Sequence, residues 1–171
     1  MPDDTGPAAA GPALSGPGTE ATGPAESWRI RLPHTTAAVP IARAVIRNAF
    51  TDLDAGGTAL PDRDTAELLT AELVANAVEH TAGAGPIELV VALLAAPDGC
   101  RIEVHDSRPA GPGGLPCPAP DAEVDPWQEH GRGLLLVRAL SSDCGHRPTT
   151  DGKAVWFTLP RIPSQRRHPD S

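Results

Sequence analysis

Three polar side chains recur at four-residue intervals within the largely apolar segment AELVANAVEH, residues 71–80. Glu72, Asn76 and His80 would form one row along a helix, because residues four apart are neighbours on a helix surface. An amide oxygen such as that of Asn76 suits Mg²⁺, which prefers few protein oxygens together with water and phosphate. A carboxylate one turn away could accept the proton of a hydroxyl group that attacks a phosphoryl group. The row therefore indicates phosphoryl chemistry, although most such rows are solvated helix faces.

A second candidate residue is Asp106, at the end of the segment RIEVHD. Ile102 and Val104 would point to one face of a strand, and Asp106 ends it just before a Pro-rich stretch. A carboxylate in this position accepts hydrogen bonds well, including one from the exocyclic amine of a base. Capping a turn is an equally common role for such an aspartate.

The third candidate is the segment EHGRGLLLV, residues 129–137. Gly131 and Gly133 flank Arg132, and an apolar helical pattern follows directly. Glycine allows the backbone to approach a ligand closely, and the unpaired N–H groups at a helix start bind phosphate. Arg132 could pair with a phosphate or hold a neighbouring loop. Such a motif is weak alone, but the order of helix row, strand-end aspartate, long loop and glycine-opened helix is specific.

Composition excludes several functional classes. The chain has a formal charge of −8 and no run of Lys or Arg interleaved with aromatic residues, which argues against a nucleic-acid or membrane-surface partner. It has no stretch of 18 apolar residues and no signal-peptide pattern, so we expect a cytoplasmic protein. Three widely spaced cysteines, Cys100, Cys117 and Cys144, are typical of free thiols in a reducing compartment rather than of a disulfide framework or a zinc site.

The pattern of residue types predicts one folded domain between two tails. Residues 1–27 are rich in Pro, Gly and Ala and are expected to be disordered, and residues 161–171 form a polar C-terminal tail. The folded part is predicted at 28–160. Within it, residues 107–130 are too long and Pro-rich for an ordinary connection, which is typical of a functional lid or of disorder.

The predicted elements favour an α+β fold, a two-layer sandwich with a mixed, mostly antiparallel sheet covered on one face by about three helices. Asp62 or Asp64 is predicted to cap the longest helix. Asp151-Gly152 is predicted to form a type I′ turn within a C-terminal hairpin. The predicted strands are 28–33, 87–95, 101–106, 146–150 and 153–160, and the predicted helices are 39–50, 65–81 and 133–143.

Taken together, four motifs resemble those of the GHKL (histidine-kinase-like, Bergerat-fold) ATPases. The motifs are ELVANAVEH, VHDS, HGRGLLLVRAL and DGKAVWFTLP, which are similar to the N, G1, G2 and terminal-strand boxes of that family. The resemblance spans about residues 28–160. It is closest to the small stand-alone bacterial proteins related to anti-sigma-factor serine/threonine kinases.

The resemblance implies a role for each matching residue. Asn76 would bind an Mg²⁺ ion that bridges the phosphates of ATP, and Glu72 would act as general base toward a serine hydroxyl. Asp106 would bond the adenine amino group, and residues 107–130 would form the ATP lid. The phosphate-binding segment would comprise Gly131, Arg132, Gly133 and Leu134.

The resemblance also implies partners. A sigma factor or an anti-sigma antagonist protein would be bound, and the antagonist would be phosphorylated. From the residues themselves, the strand WRIRLP and the outward-facing Arg43 and Arg47 of the first helix are candidates for partner or homodimer contacts, although a solvated face is the preferred interpretation.

The chain departs from the family pattern at two places, and the first, in the adenine box, favours a second hypothesis, a nucleotide-binding docking module with little or no catalysis. Where the family has Asp-x-Gly-x-Gly, this chain continues from Asp106 with Ser107, Arg108 and Pro109, and proline stiffens the start of the lid. Lys153 replaces a common threonine in the last motif. It either removes a hydroxyl from the pocket floor or adds a cation near the phosphates.

Overall fold

A computed structural model describes residues 26–80, 85–95, 98–108 and 132–162. The predicted N-terminal tail lies outside these residues except for Glu26 and Ser27, which belong to the first strand. Residues 109–130 of the predicted lid and residues 163–171 of the predicted C-terminal tail also lie outside the described residues.

The described part of the chain contains five strands and three helices, in the predicted order. The strands are β1 (Glu26–Leu32), β2 (Ile87–Ala95), β3 (Asp98–Asp106), β4 (Asp143–Pro148) and β5 (Lys153–Pro160). The helices are α1 (Ala38–Ala55), α2 (Arg63–His80) and α3 (Arg132–Leu140).

The strands form one sheet in the order β1-β2-β3-β5-β4, and each neighbouring pair is antiparallel. This confirms the predicted α+β class and the edge position of β1. The described sheet is wholly antiparallel rather than mixed, because hairpins join β2 to β3 and β4 to β5.

The hydrophobic core lies between the sheet and the helices. Alternate residues of the central strands face it, so that Val91, Ile102 and Phe157 meet in register across β2, β3 and β5 and are fully buried. With only two phenylalanines in the chain, aliphatic side chains fill most of this layer.

The central helix, α2, contacts both other helices and three strands. More than one side of α2 is therefore buried. Its buried residues include Ala66, Leu69, Leu73, Val74 and Ala77. Its first turn is held as predicted by Asp62, whose carboxylate accepts a hydrogen bond from the backbone N–H of Thr65 at 2.9 Å. The hydrogen bonds from the Thr65 hydroxyl and backbone also lower the pKa of Asp62.

The arginines of α1 are tied to α2 although their side chains are exposed. Arg47 forms two hydrogen bonds to the buried Glu67 carboxylate, at 3.1 and 2.7 Å, and Arg43 lies 3.8 Å from the same carboxylate. Removing these guanidinium groups would leave a buried charge uncompensated. Arg43 and Arg47 therefore hold the two helices together, whatever else they contact.

The β4–β5 hairpin is present, but the predicted type I′ turn is wrong. That turn requires positive φ at both central residues, and the only described residues with positive φ are Gly57 and Gly85. The Thr149 N–H instead donates to the Gly152 carbonyl at 2.9 Å. Gly152 is needed for space, because a Cβ atom there would collide with the backbone of Asp106, the last residue of β3, and of Ser107, which follows it.

The sheet face opposite the helices carries a charged cluster around Glu103. Its carboxylate lies 2.8 Å from His105, 2.9 Å from Arg147 and 3.0 Å from Arg101, and the Arg101 guanidinium stacks 3.9 Å from the centre of the Trp156 ring. The hydrogen bond from His105, aided by the arginines, lowers the pKa of Glu103 to about 2. This cluster joins β3, β4 and β5 on the outer face.

The cysteines only partly follow the prediction. Cys100 is a free thiol whose burial raises its pKa to about 12, so it is uncharged at neutral pH. Cys144 is disulfide-bonded, which contradicts the prediction of free thiols for this residue.

In the described ranges, every helix is too short or too polar to cross a membrane.

Candidate functional site

A cavity between the helix layer and the sheet brings three of the predicted site residues together. Asn76 of α2, Asp106 of β3 and Leu134 of α3 all line it. The other lining residues are Leu73, Ala77, His80, Val104, Lys153 and Val155. Residues 58 positions apart thus meet because α2 packs on both β3 and α3.

The predicted row on α2 runs along the edge of this cavity. Glu72, Asn76 and His80 are all half-buried, between the core stripe of the helix and its exposed side. Asn76 and His80 line the cavity itself. Glu72 lies one turn earlier, and a Cβ atom on Gly133 would collide with its carboxylate. The absence of a side chain at residue 133 therefore lets Glu72 reach the first turn of α3.

The floor of the cavity contains a buried ion pair. Lys153 is directly opposite Asp106 in the β3–β5 register, and its Nζ lies 2.8 Å from Asp106 Oδ1. The two side chains are only 7% and 4% exposed, so the pair is almost wholly removed from water. A charge buried this deeply requires a partner, and each of these residues supplies the other's.

Arg108 occupies the position where the family pattern has its first glycine, and it makes two contacts. Its backbone N–H donates to Asp106 Oδ1 at 2.9 Å. Its guanidinium donates to the backbone carbonyl of His80 at 3.0 Å, at the C-terminus of α2, where cations are favoured. The start of the predicted lid is thus attached to both the strand end and the helix end.

The remaining predicted site residues are less completely placed. Arg132 and Gly133 form the start of α3, as expected of a glycine-opened helix. Gly131 lies outside the described residues, as does the predicted lid from residue 109 onward. Glu72, Asn76, Asp106, Gly133 and Leu134 are the predicted residues that the structure brings to one region.

The residues present fit an adenine nucleotide. The cavity walls are apolar, formed by Leu73, Ala77, Val104, Leu134 and Val155, and a few polar groups lie at its ends. Apolar walls with a few placed polar groups are the usual composition of a small-molecule site. Asp106 supplies an acceptor for an exocyclic amine, and Asn76 supplies an amide oxygen.

The partner of Lys153 was missed by sequence reasoning. Neither of the two predicted effects, a lost hydroxyl or a cation near the phosphates, describes a lysine paired with Asp106. The sequence held one signal: Lys153 lies two residues before the core-facing Val155, so the two side chains point to the same face of β5. The pairing with Asp106 can be recognised only from the register between β3 and β5, which are separated by 46 residues of chain.

Comparison with known proteins agrees with this geometry. A search of curated proteins returned no significant match. A family model described as "Histidine kinase-like ATPase domain" matches residues 32–159, which include every element from the end of β1 to β5. The chain therefore belongs to the histidine kinase-like ATPase family and contains its ATP-binding domain.

Proposed function

We propose that this protein is an ATP-dependent serine/threonine protein kinase of a partner-switching pathway. It would transfer the γ-phosphoryl group of ATP to a hydroxyl side chain of an antagonist protein and would also bind a sigma factor or similar regulator. The observation that supports this most is the placement of Glu72 against Gly133, one helical turn from Asn76. A carboxylate, an amide oxygen and a helix start are the parts that phosphoryl transfer needs.

Each residue has a defined task in this proposal. Asp106 accepts a hydrogen bond from the adenine amine, and the N–H groups at the start of α3, beginning at Arg132 and Gly133, receive phosphate oxygens. Glu72 accepts the proton of the substrate hydroxyl as its oxygen bonds to the γ-phosphorus and the bond to the ADP oxygen breaks. These tasks divide binding from proton transfer.

Asn76 is the residue that would hold Mg²⁺. Its side chain is half-buried and lines the cavity, and the described residues contain no group of three or more His, Cys, Asp or Glu side chains that could hold a metal. A single protein oxygen fits Mg²⁺, which completes its shell with water and substrate phosphates. When bound, the ion would neutralise charge on the triphosphate.

A second candidate function is a nucleotide-binding docking module with little or no catalysis. It is favoured by the surroundings of Glu72, because no described residue donates a hydrogen bond to its carboxylate. General bases are usually oriented by such a bond. The replacement of the expected glycine by Arg108 also favours it.

Phosphoryl transfer with labelled ATP distinguishes the two functions. Purified full-length protein is incubated with Mg²⁺, labelled ATP and candidate antagonist proteins, beside Glu72→Gln and Glu79→Gln variants. Glu79 lies on the exposed side of the same helix, so its variant controls for charge. A kinase labels its antagonist, loses at least a hundredfold in rate with Glu72→Gln, and is unaffected by Glu79→Gln. ATP binding without labelling of any antagonist would instead support the docking module.

A further inference from the structure

The two hydrogen bonds to Asp106 fall on the same carboxylate oxygen. Oδ1 accepts from Lys153 Nζ at 2.8 Å and from the Arg108 backbone N–H at 2.9 Å. No described residue donates to Oδ2. The carboxylate is therefore held through one oxygen, and the other oxygen keeps its lone pairs at a residue that lines the cavity.

We infer that Lys153 is a positioning residue for base recognition: it fixes the Asp106 carboxylate so that Oδ2 accepts the 6-amino group of an adenine nucleotide. This inference rests on the proposed nucleotide site and assigns a residue that gives the site its selectivity for adenine. It also explains how the chain retains a base contact after loss of the glycine pattern that follows Asp106.

Burial makes the lysine necessary for this role. The Asp106 side chain is only 4% exposed, so its charge requires a neighbouring cation in place of water. Lys153 is that cation, and its hydrogen bond to Oδ1 at 2.8 Å fixes the orientation of the carboxylate.

The geometry of the β4–β5 hairpin places Lys153 next to Asp106. Gly152 precedes it, and its missing Cβ lets the chain lie against the Asp106 carbonyl and the Ser107 backbone. This close approach begins the β3–β5 ladder with the Asp106–Lys153 pair. A larger residue at 152 would move the ammonium group away from the carboxylate.

The test compares two nucleotides that differ at the 6-position of the base. ATP carries an amine there, and ITP carries an oxygen that can only accept. Isothermal calorimetry with Mg²⁺ gives the dissociation constants of both for the wild-type protein and for Asp106→Asn, Lys153→Met and Lys153→Arg. The ratio of the two constants reports base recognition, and a general loss of structure would weaken both nucleotides alike.

The expected pattern is specific to positioning. The wild-type protein should prefer ATP over ITP by about tenfold or more, which corresponds to one hydrogen bond with a charged acceptor. Asp106→Asn and Lys153→Met should reduce that preference to near unity. Lys153→Arg, which keeps the charge, should retain part of it. Should Lys153→Met fail to fold, Lys153→Gln keeps an N–H donor without the charge and should show a reduced preference.

The possible failures are distinguishable. A wild-type protein that binds neither nucleotide would overturn the proposed function and this inference with it. A wild-type protein that prefers ATP, with the same preference in Lys153→Met or Lys153→Gln, would overturn the inference and leave the proposed function intact. Equal binding of ATP and ITP by the wild-type protein would overturn the inference and the task proposed for Asp106, and would leave the proposed phosphoryl transfer intact.

Discussion

The two ends of the cavity are built differently. At the end where we propose that the base binds (the base end), Asp106 and Lys153 are buried and paired with each other, and the backbone N–H of the exposed Arg108 also donates to Asp106. At the end where we propose that the phosphates bind (the phosphate end), Asn76 and the neighbouring Glu72, which lies against Gly133, are half-buried, and no described residue hydrogen-bonds the side chain of either.

Under the proposed function, this difference separates recognition of the base from phosphoryl transfer. A base is a rigid ring, so a preorganised acceptor selects it without further ordering of the protein. A triphosphate and its metal ion bring their own charges, so the side chains that meet them can be ordered by binding. We expect mutations at the base end to change stability and selectivity, and mutations at the phosphate end to change chemistry with little effect on stability.

The largest expected effect is on the buried ion pair. Asp106→Asn or Lys153→Met alone leaves one charge buried without its partner, and each should lower the free energy of unfolding by about 3 kcal/mol. The double variant should lose less than the sum, because neither charge then remains. Urea denaturation measures all three. Glu72→Gln, at the phosphate end, should change stability by no more than about 0.5 kcal/mol. Equal losses of stability in Glu72→Gln and in the single variants of the ion pair would contradict the difference between the two ends.

The next effect compares two glycines that are required for different reasons. Gly152→Ala should cost about 2–3 kcal/mol, because the new methyl group collides with backbone atoms of β3 that cannot move independently. Gly57→Ala should cost only about 1 kcal/mol, since Gly57 has a φ of 74° but open space around its Cα. Thermal unfolding of both variants checks the order. A smaller loss for Gly152→Ala would mean that the hairpin is free to shift.

At the phosphate end, replacing a glycine by alanine should have little effect on stability. A methyl group at residue 133 meets the Glu72 side chain, whose carboxylate can rotate away. Gly133→Ala should therefore lose less than about 1 kcal/mol of stability. Its rate of phosphoryl transfer should fall by about a hundredfold, because the general base is displaced. Denaturation and labelled-ATP transfer measured on the same preparation test both parts. A stability loss as large as that of Gly152→Ala would contradict the difference between the two ends.

The smallest effect concerns the outer face of the sheet, which lies away from the cavity. The pKa of Glu103 is lowered to about 2 from its ordinary value of 4.5, so the ionised carboxylate stabilises the fold above pH 4.5. This contribution should be lost as the pH falls from about 4.5 toward 2. In Glu103→Gln the loss over that range should be smaller than in the wild-type protein. Unfolding curves at several pH values between 2 and 6 check this. Identical pH dependence of the two proteins would show that Glu103 does not contribute.

The sequence was sufficient to predict the parts of this site that follow from local pattern. Helical spacing placed Glu72, Asn76 and His80 in one row, strand alternation placed Asp106 at the end of β3, and two glycines marked the start of α3. Except for Gly131, which lies outside the described residues, these residues converge on one region, as the order of the elements and the family resemblance predicted.

Features that depend on register or close approach could not be predicted in this way. The Asp106–Lys153 pair depends on how β5 aligns with β3, and the true role of Gly152 depends on the distance between two backbones. Asp151-Gly152 has the composition of a type I′ turn, but contact with β3 determines its conformation instead. The Glu103 cluster likewise joins three strands, and the sequence of a single strand does not determine how the three align.

Binding of adenine nucleotides tests the central claim most directly, and a thermal shift measures it. Unfolding of the full-length protein is followed with Mg²⁺ and either ATP, ADP or GTP. Nucleotide at a hundred times its dissociation constant should stabilise the fold by about 2.7 kcal/mol. We predict this shift with ATP and ADP, little shift with GTP, and a much reduced shift for Asp106→Asn. No shift with ATP, or an equal shift with GTP, would contradict the assignment of the cavity as an adenine-nucleotide site.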